Sequence, residues 1–185
     1  RLYVSLFSTE ERFHAALEAI GAEASDAGGY YSPSTQSAYL YEQPNPNYTD
    51  ILFLHEMTHQ FHHLSRTGSQ KLPFWYVEGI AEYLGRHDWD GKCIRLGVVP
   101  MLSWEDLPGR ALESISTSGL DSFGILSGET EASRAESWAM IAYLERGADG
   151  AHAEAFAAFR AVMDADNPAG PSDFEELVLP LDALE

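Results

Sequence analysis

The sequence predicts an α+β fold, in which a small N-terminal sheet packs on helices and a helical lobe follows. Three observations carry this. Stretches with strand-like alternation fall mainly in the first quarter of the chain. From Asp50 onward apolar residues recur mostly at helical spacing. Glycine and proline stand where each stretch should stop.

Arg1 to Phe7 alternates, with Leu2, Val4 and Leu6 on one face, and predicts a half-buried strand. Thr9 then precedes Glu10 and Glu11 and the apolar run from Phe13 to Ile20, a helix with a cap and an acidic first turn that Gly21 ends. Gly28-Gly29 is a turn, and Tyr30-Tyr31 begins a short extended piece broken at Ser32-Pro33-Ser34. Ser37 to Tyr41 reads as a second strand hairpinned to it. Pro44 to Asn47 reads as a loop, and a helix runs from about Asp50 to Ser65, closed by Thr67-Gly68-Ser69.

Pro73 marks the next start, with a helix from Trp75 to Leu84 that Gly85 closes. Arg86 to Arg110 looks irregular, apart from a short strand around Cys93 to Leu96 and a capped turn at Ser103 to Asp106. Ser114 to Gly128 is Ser- and Gly-rich and predicts a loop. Helices follow over Glu131 to Arg146 and Ala151 to Met163, the second with Phe156, Phe159 and Met163 as a core stripe, and a last helical piece follows Pro171. The expected organisation is a single domain over 1–185. Residues 1–66 supply the sheet and one central helix, and 67–185 the following helix and the helical lobe.

Composition limits the function. Hydrophobic residues make up 45% of the 185 positions, enough for a packed core. Acidic residues outnumber basic ones by 29 to 11, a net charge of −18, which repels phosphate backbones and argues against nucleic-acid binding. The same charge disfavours anionic lipid, and no apolar run reaches the length of a membrane span. Cys93 is the single cysteine, so no intrachain disulfide forms, and it reads as a packed or half-exposed thiol. The chain opens directly on a strand-like stretch with no signal peptide in view, so it is expected to be a fragment of a longer protein.

The chemistry concentrates in His55-Glu56-Met57-Thr58-His59, an H-E-x-x-H. On a helix, residues four apart differ by about 40° in azimuth and about 6 Å in height, so both imidazoles reach one metal ion. Glu56 stands about 100° round, beside the pair, where it can address a metal-bound water. Two neutral nitrogens hold Zn²⁺ without cancelling its charge, the metal acidifies its water, and Glu56 takes the proton. The pattern arises by chance on the order of once in a few hundred chains of this length. The apolar run Ile51 to Leu54 beside it adds weight, because His and Glu on a packed face need partners.

A third ligand is needed. The extended H-E-x-x-H-x-x-G-x-x-H pattern fails, since His62 takes the glycine position and Ser65 the third histidine position. Glu78 qualifies instead, with 18 residues between it and His59, room for a helix end, a turn and a second antiparallel helix. His62 and His63 read as rim or packing residues, since His62 lies about 10 Å along the axis from His55. His14 carries no metal signature.

His55-Glu56-x-x-His59 followed by Trp75-x-x-Glu78-Gly79-x-Ala81-Glu82-Tyr83 resembles the gluzincin zinc metallopeptidases, especially their peptidase-MA-like branch. The motif pair covers residues 55 to 83, and the opening strand, the Gly-Tyr-Tyr hairpin and the Ser137-Trp138-Ala139 helix fit the same branch. The resemblance implies a zincin-like fold and a peptidase acting on a peptide or protein substrate. It implies Zn²⁺ on His55, His59 and Glu78, with Glu56 as general base. Glu82, one turn after Glu78, would orient a ligand histidine from the second coordination sphere. The strand holding Tyr39 to Tyr41 would pair with the substrate backbone. The oxyanion-stabilising residue stays open among Arg134, Tyr143, His152 and His87, with Arg134 standing where related sequences have a tyrosine. That departure keeps an alternative in view: a catalytically silent zincin-fold module that binds a peptide or protein partner. One cysteine and strong acidity suit either side of a bacterial membrane, and an extracytoplasmic or secreted setting is the favoured expectation.

Overall fold

A computed structural model describes residues 1–23, 26–66, 72–98, 106–118 and 133–165. Among the described residues the fold is mixed α+β, with six α-helices, a three-stranded sheet and a two-stranded one. The chain divides into two compact units, residues 1–65 with 84–97, and residues 66–83 with 98–185.

The first unit opens with β1 (Tyr3–Phe7), α1 (Glu10–Ala19), β2 (Gly29–Ser32) and β3 (Ser37–Tyr41). The sheet order is β1-β3-β2, with β1 parallel and β2 antiparallel to the central β3. The Thr9 hydroxyl accepts the Arg12 N–H at the start of α1, and Gly21, at φ 70°, turns the chain out of its end. Phe13 and Leu17, one turn apart, are buried, and Phe13 lies against the rings of Phe7 and Tyr41. Burying each such side chain contributes about 1.5–3 kcal/mol.

β1 forms where expected but turns the other way. Leu2, Val4 and Leu6 are exposed, at 45, 37 and 55%. Ser5 and Phe7 face inward in their place, Phe7 against Phe13 of α1, so the opposite face of this edge strand meets solvent.

The central helix, α2 (Pro46–Ser65), begins four residues before the predicted start. Asn45-Pro46 is cap chemistry rather than loop. The Asn45 side chain accepts the Asn47 N–H at 3.1 Å, its carbonyl accepts from Tyr48 and Thr49, and Pro46 takes the first helical position, where no N–H is needed. α2 packs on β2 and β3. Its buried Gln60 donates to the carbonyls of Tyr3 at 3.1 Å and Gln36 at 2.7 Å, which fastens the helix to the start of β1 and to the β2–β3 turn.

The unit ends with β4 (His87–Trp89) and β5 (Ile94–Leu96), an antiparallel hairpin. Only the second of these strands was legible from the sequence. Asp90 closes the turn by accepting the N–H groups of Lys92 and Cys93, both at 2.9 Å. Cys93 in that turn is exposed, rather than packed or half-exposed as predicted.

The second unit contains most of α3 (Phe74–Gly85), then α4 (Leu107–Ser118), α5 (Arg134–Arg146), a 3₁₀ turn at Gly147–Gly150 and α6 (Ala153–Met163). Leu107 to Ser118 overturns two expectations, irregular chain up to Arg110 and loop from Ser114. Asp106 caps α4 by accepting the Gly109 N–H, and Ser116 and Thr117 satisfy their hydroxyls on the carbonyls of Leu112 and Glu113 one turn back. The expected turn at Ser103 to Glu105, the loop beyond Ser118 and the helix after Pro171 lie outside the described residues. The stripe on α6 is core as predicted: Phe156, Phe159 and Met163 are buried, and Phe159 stacks on Trp75 of α3.

α3 and α5 approach closely at Gly79. A Cβ there would lie 2.6 Å from the Ser137 carbonyl oxygen and 2.7 Å from Ile141 Cγ1. No helix of the described residues is long and apolar enough to cross a membrane. Gly79→Ala, which in an open helix would stabilise by about 1 kcal/mol, is expected here to destabilise by about 1–3 kcal/mol through overpacking. Urea unfolding of the two proteins measures this, and a stabilised variant would contradict the close approach.

Candidate metal centre

α2 carries His55 and Glu56 side by side and His59 one turn on, with His55 and Glu56 almost wholly buried, at 2 and 5% exposure. Both imidazoles turn the same nitrogen inward: His55 Nε2 and His59 Nε2 are 3.0 Å apart, with the rings nearly perpendicular at 82°. Two nitrogens at about 2.05 Å from one tetrahedral ion would stand about 3.3 Å apart. The ligand-capable atoms of His55, His59 and Glu78 all lie within 4.8 Å of one another. Two imidazoles and one carboxylate form a donor set suited to a borderline divalent ion such as zinc, with a coordination position left for water.

Glu56 owes its space to a glycine. A Cβ on Gly29 of β2 would lie 2.8 Å from both Cγ and Oε1 of Glu56. The sequence marks Gly28-Gly29 only as a turn. The missed signal is that the second glycine opens a strand, where a missing side chain often means close approach by a neighbour. Gly85 lets the end of α3 close in on α2, since a Cβ there would stand 3.2 Å from the Ile51 carbonyl oxygen and 3.6 Å from His55 Cβ.

The strand beside the site is β2 rather than the one holding Tyr39 to Tyr41. β3 is paired on both sides, with β1 and with β2, so it has no edge left for an incoming backbone. β2 is an edge strand, and its Tyr31 hydroxyl stands 2.7 Å from Nδ1 of His63, an exposed residue of α2. Burial raises the Tyr31 phenol above its ordinary value.

Glu78 and Glu82 stand one turn apart on α3, their side chains 15 and 8% exposed. Arg134, at the start of α5, faces both: Nη2 is 3.5 Å from Glu78 Oε2 and Nη1 is 3.4 Å from Glu82 Oε1. The other oxyanion candidates have neighbours of their own. Tyr143 and His152 lie ring against ring at 5.3 Å, and His87 Nδ1 stands 3.0 Å from the Gly85 carbonyl oxygen.

Comparison of the chain with protein-family models, curated proteins and solved structures finds no match. The geometry predicts that a divalent transition metal stabilises the protein. At 100 times its dissociation constant an ion raises stability by about 2.7 kcal/mol. Thermal melts with and without zinc measure this, and the upward shift should vanish in His59→Ala and Glu78→Ala.

Proposed function

We propose that the protein is a zinc-dependent peptidase of the gluzincin type. The observation that carries this reading is the convergence of His55 Nε2, His59 Nε2 and the Glu78 carboxylate from an H-E-x-x-H helix and the helix after it. Zinc on these residues supplies a Lewis acid and makes water nucleophilic near neutral pH. His55 and His59 contribute neutral nitrogens, and Glu78 contributes a single negative charge, so the site keeps net positive charge when loaded. Glu56 takes a proton from the attacking water and delivers it to the leaving amine nitrogen. The extended backbone of a peptide adds to the edge of β2, which runs beside Glu56 at Gly29.

The test compares wild type with Glu56→Gln, which keeps shape and removes the base. Both should bind zinc stoichiometrically, and only wild type should cleave a mixed peptide library, with Gln lowering turnover by about 10²–10⁴-fold. Zinc in both proteins without cleavage by either would favour the silent peptide-binding module. A second variant separates placement from identity. Gly29→Ala pushes a methyl into the Glu56 carboxylate, and it should lower turnover while leaving zinc affinity near that of wild type.

A further inference from the structure

We infer that Arg134 is a positioning residue that holds the Glu78 carboxylate in one orientation for a metal ion, with Glu82 as the second anchor of the same guanidinium. The inference rests on the zinc reading of the site and deepens it. Glu78 and Glu82 are like charges one turn apart on α3, which destabilises a helix unless a cation intervenes. Both are largely withdrawn from water, which strengthens their repulsion. The Arg134 guanidinium lies across the two, one η nitrogen toward each carboxylate, at 3.5 Å from Glu78 Oε2 and 3.4 Å from Glu82 Oε1. A planar fork presents two donors at a fixed separation, one to each carboxylate, whereas an ammonium is a single point charge on a flexible stem.

The backbone that carries Arg134 is itself fixed. Arg134 is the first residue of α5, directly after the N-cap Ser133 and inside the capping box that Ser133 forms with Glu136. Ser133 N–H donates to Glu136 Oε2 at 2.7 Å, and Glu136 N–H donates to Ser133 Oγ at 3.2 Å. Glu136 also accepts the Ser114 hydroxyl of α4 at 2.8 Å. Three residues on, α5 is held again where α3 at Gly79 lies against the Ser137 carbonyl. The guanidinium thus reaches α3 from a clamped helix start, although its side chain is 57% exposed. An arginine engaged on one Glu78 oxygen favours metal ligation through the other, as a one-oxygen ligand.

Cobalt(II) and zinc are the probes, on wild type, Arg134→Ala and Arg134→Lys, with circular dichroism to check folding. The cobalt absorption spectrum reports ligand geometry, and chelator competition gives zinc affinity. Removing a residue that orients a ligand typically lowers metal affinity about 10–100-fold. Arg134→Ala is expected to lose affinity in that range and to change the cobalt spectrum. Arg134→Lys should keep the altered spectrum, because it restores charge without the span. Wild-type affinity and spectrum in Arg134→Ala would overturn the inference. Full recovery by lysine would also overturn it, because charge alone would then suffice. If Arg134→Ala fails to fold, the lysine variant decides by the same criteria. A wild-type protein that binds neither ion would overturn the zinc reading itself, and this inference with it.

Discussion

Placing His55, Glu56 and Gln60 in the interior along one helix is the constraint on which the first unit depends. Each polar group withdrawn from water without a partner costs about 1–3 kcal/mol, and a charged one more. Gln60 meets the requirement with two main-chain carbonyls, one at the start of β1 and one in the β2–β3 turn. That pair of bonds sets the rotation of α2 against the sheet. One residue earlier, the same rotation turns His59 toward His55, so that their Nε2 atoms face each other. The structural requirement of the sheet and the chemical requirement of the site are therefore met by consecutive residues.

Glycines set the close approaches around this helix. Gly29 leaves room for the Glu56 carboxylate beside β2, and Gly85 lets the end of α3 lie against the Ile51 carbonyl. In the second unit Gly79, the neighbour of Glu78, brings α3 against the backbone of α5. A side chain at any of the three would force a shift in a neighbour. At Gly79 and Gly85 that neighbour includes a backbone carbonyl, which gives way less easily than a flexible side chain. The acidic residues of α3 add a second demand, and the cation that answers it comes from a helix start fixed by its own capping box.

Local sequence signals marked five of the six described helices and the metal-type motif because both depend on near neighbours. The spacing of His55 and His59 follows from 3.6 residues per turn, and Glu78 follows from the room that a turn and a second helix need. The Thr9 cap and the Phe156–Met163 stripe were legible for the same reason. Strand order was not. Alternation in Arg1 to Phe7 marks a strand without saying which face is inward, and Leu2, Val4 and Leu6 turned out to be exposed on an edge. Nothing near Tyr39 to Tyr41 indicates that β3 lies in the centre with both sides paired. Asn45-Pro46 reads as loop in the sequence because capping and turning use the same residues. Glu136 reaches Ser114 across 22 positions, a contact no local pattern encodes.

The central claim is a metal ion on His55, His59 and Glu78, and X-ray absorption at the zinc edge of the zinc-loaded full chain tests it most directly. The account predicts one zinc per chain with two imidazole nitrogens at about 2.0–2.1 Å and carboxylate or water oxygens at about 2.0–2.2 Å. An all-oxygen shell without imidazole scattering, or zinc in variable and substoichiometric amounts, would contradict it.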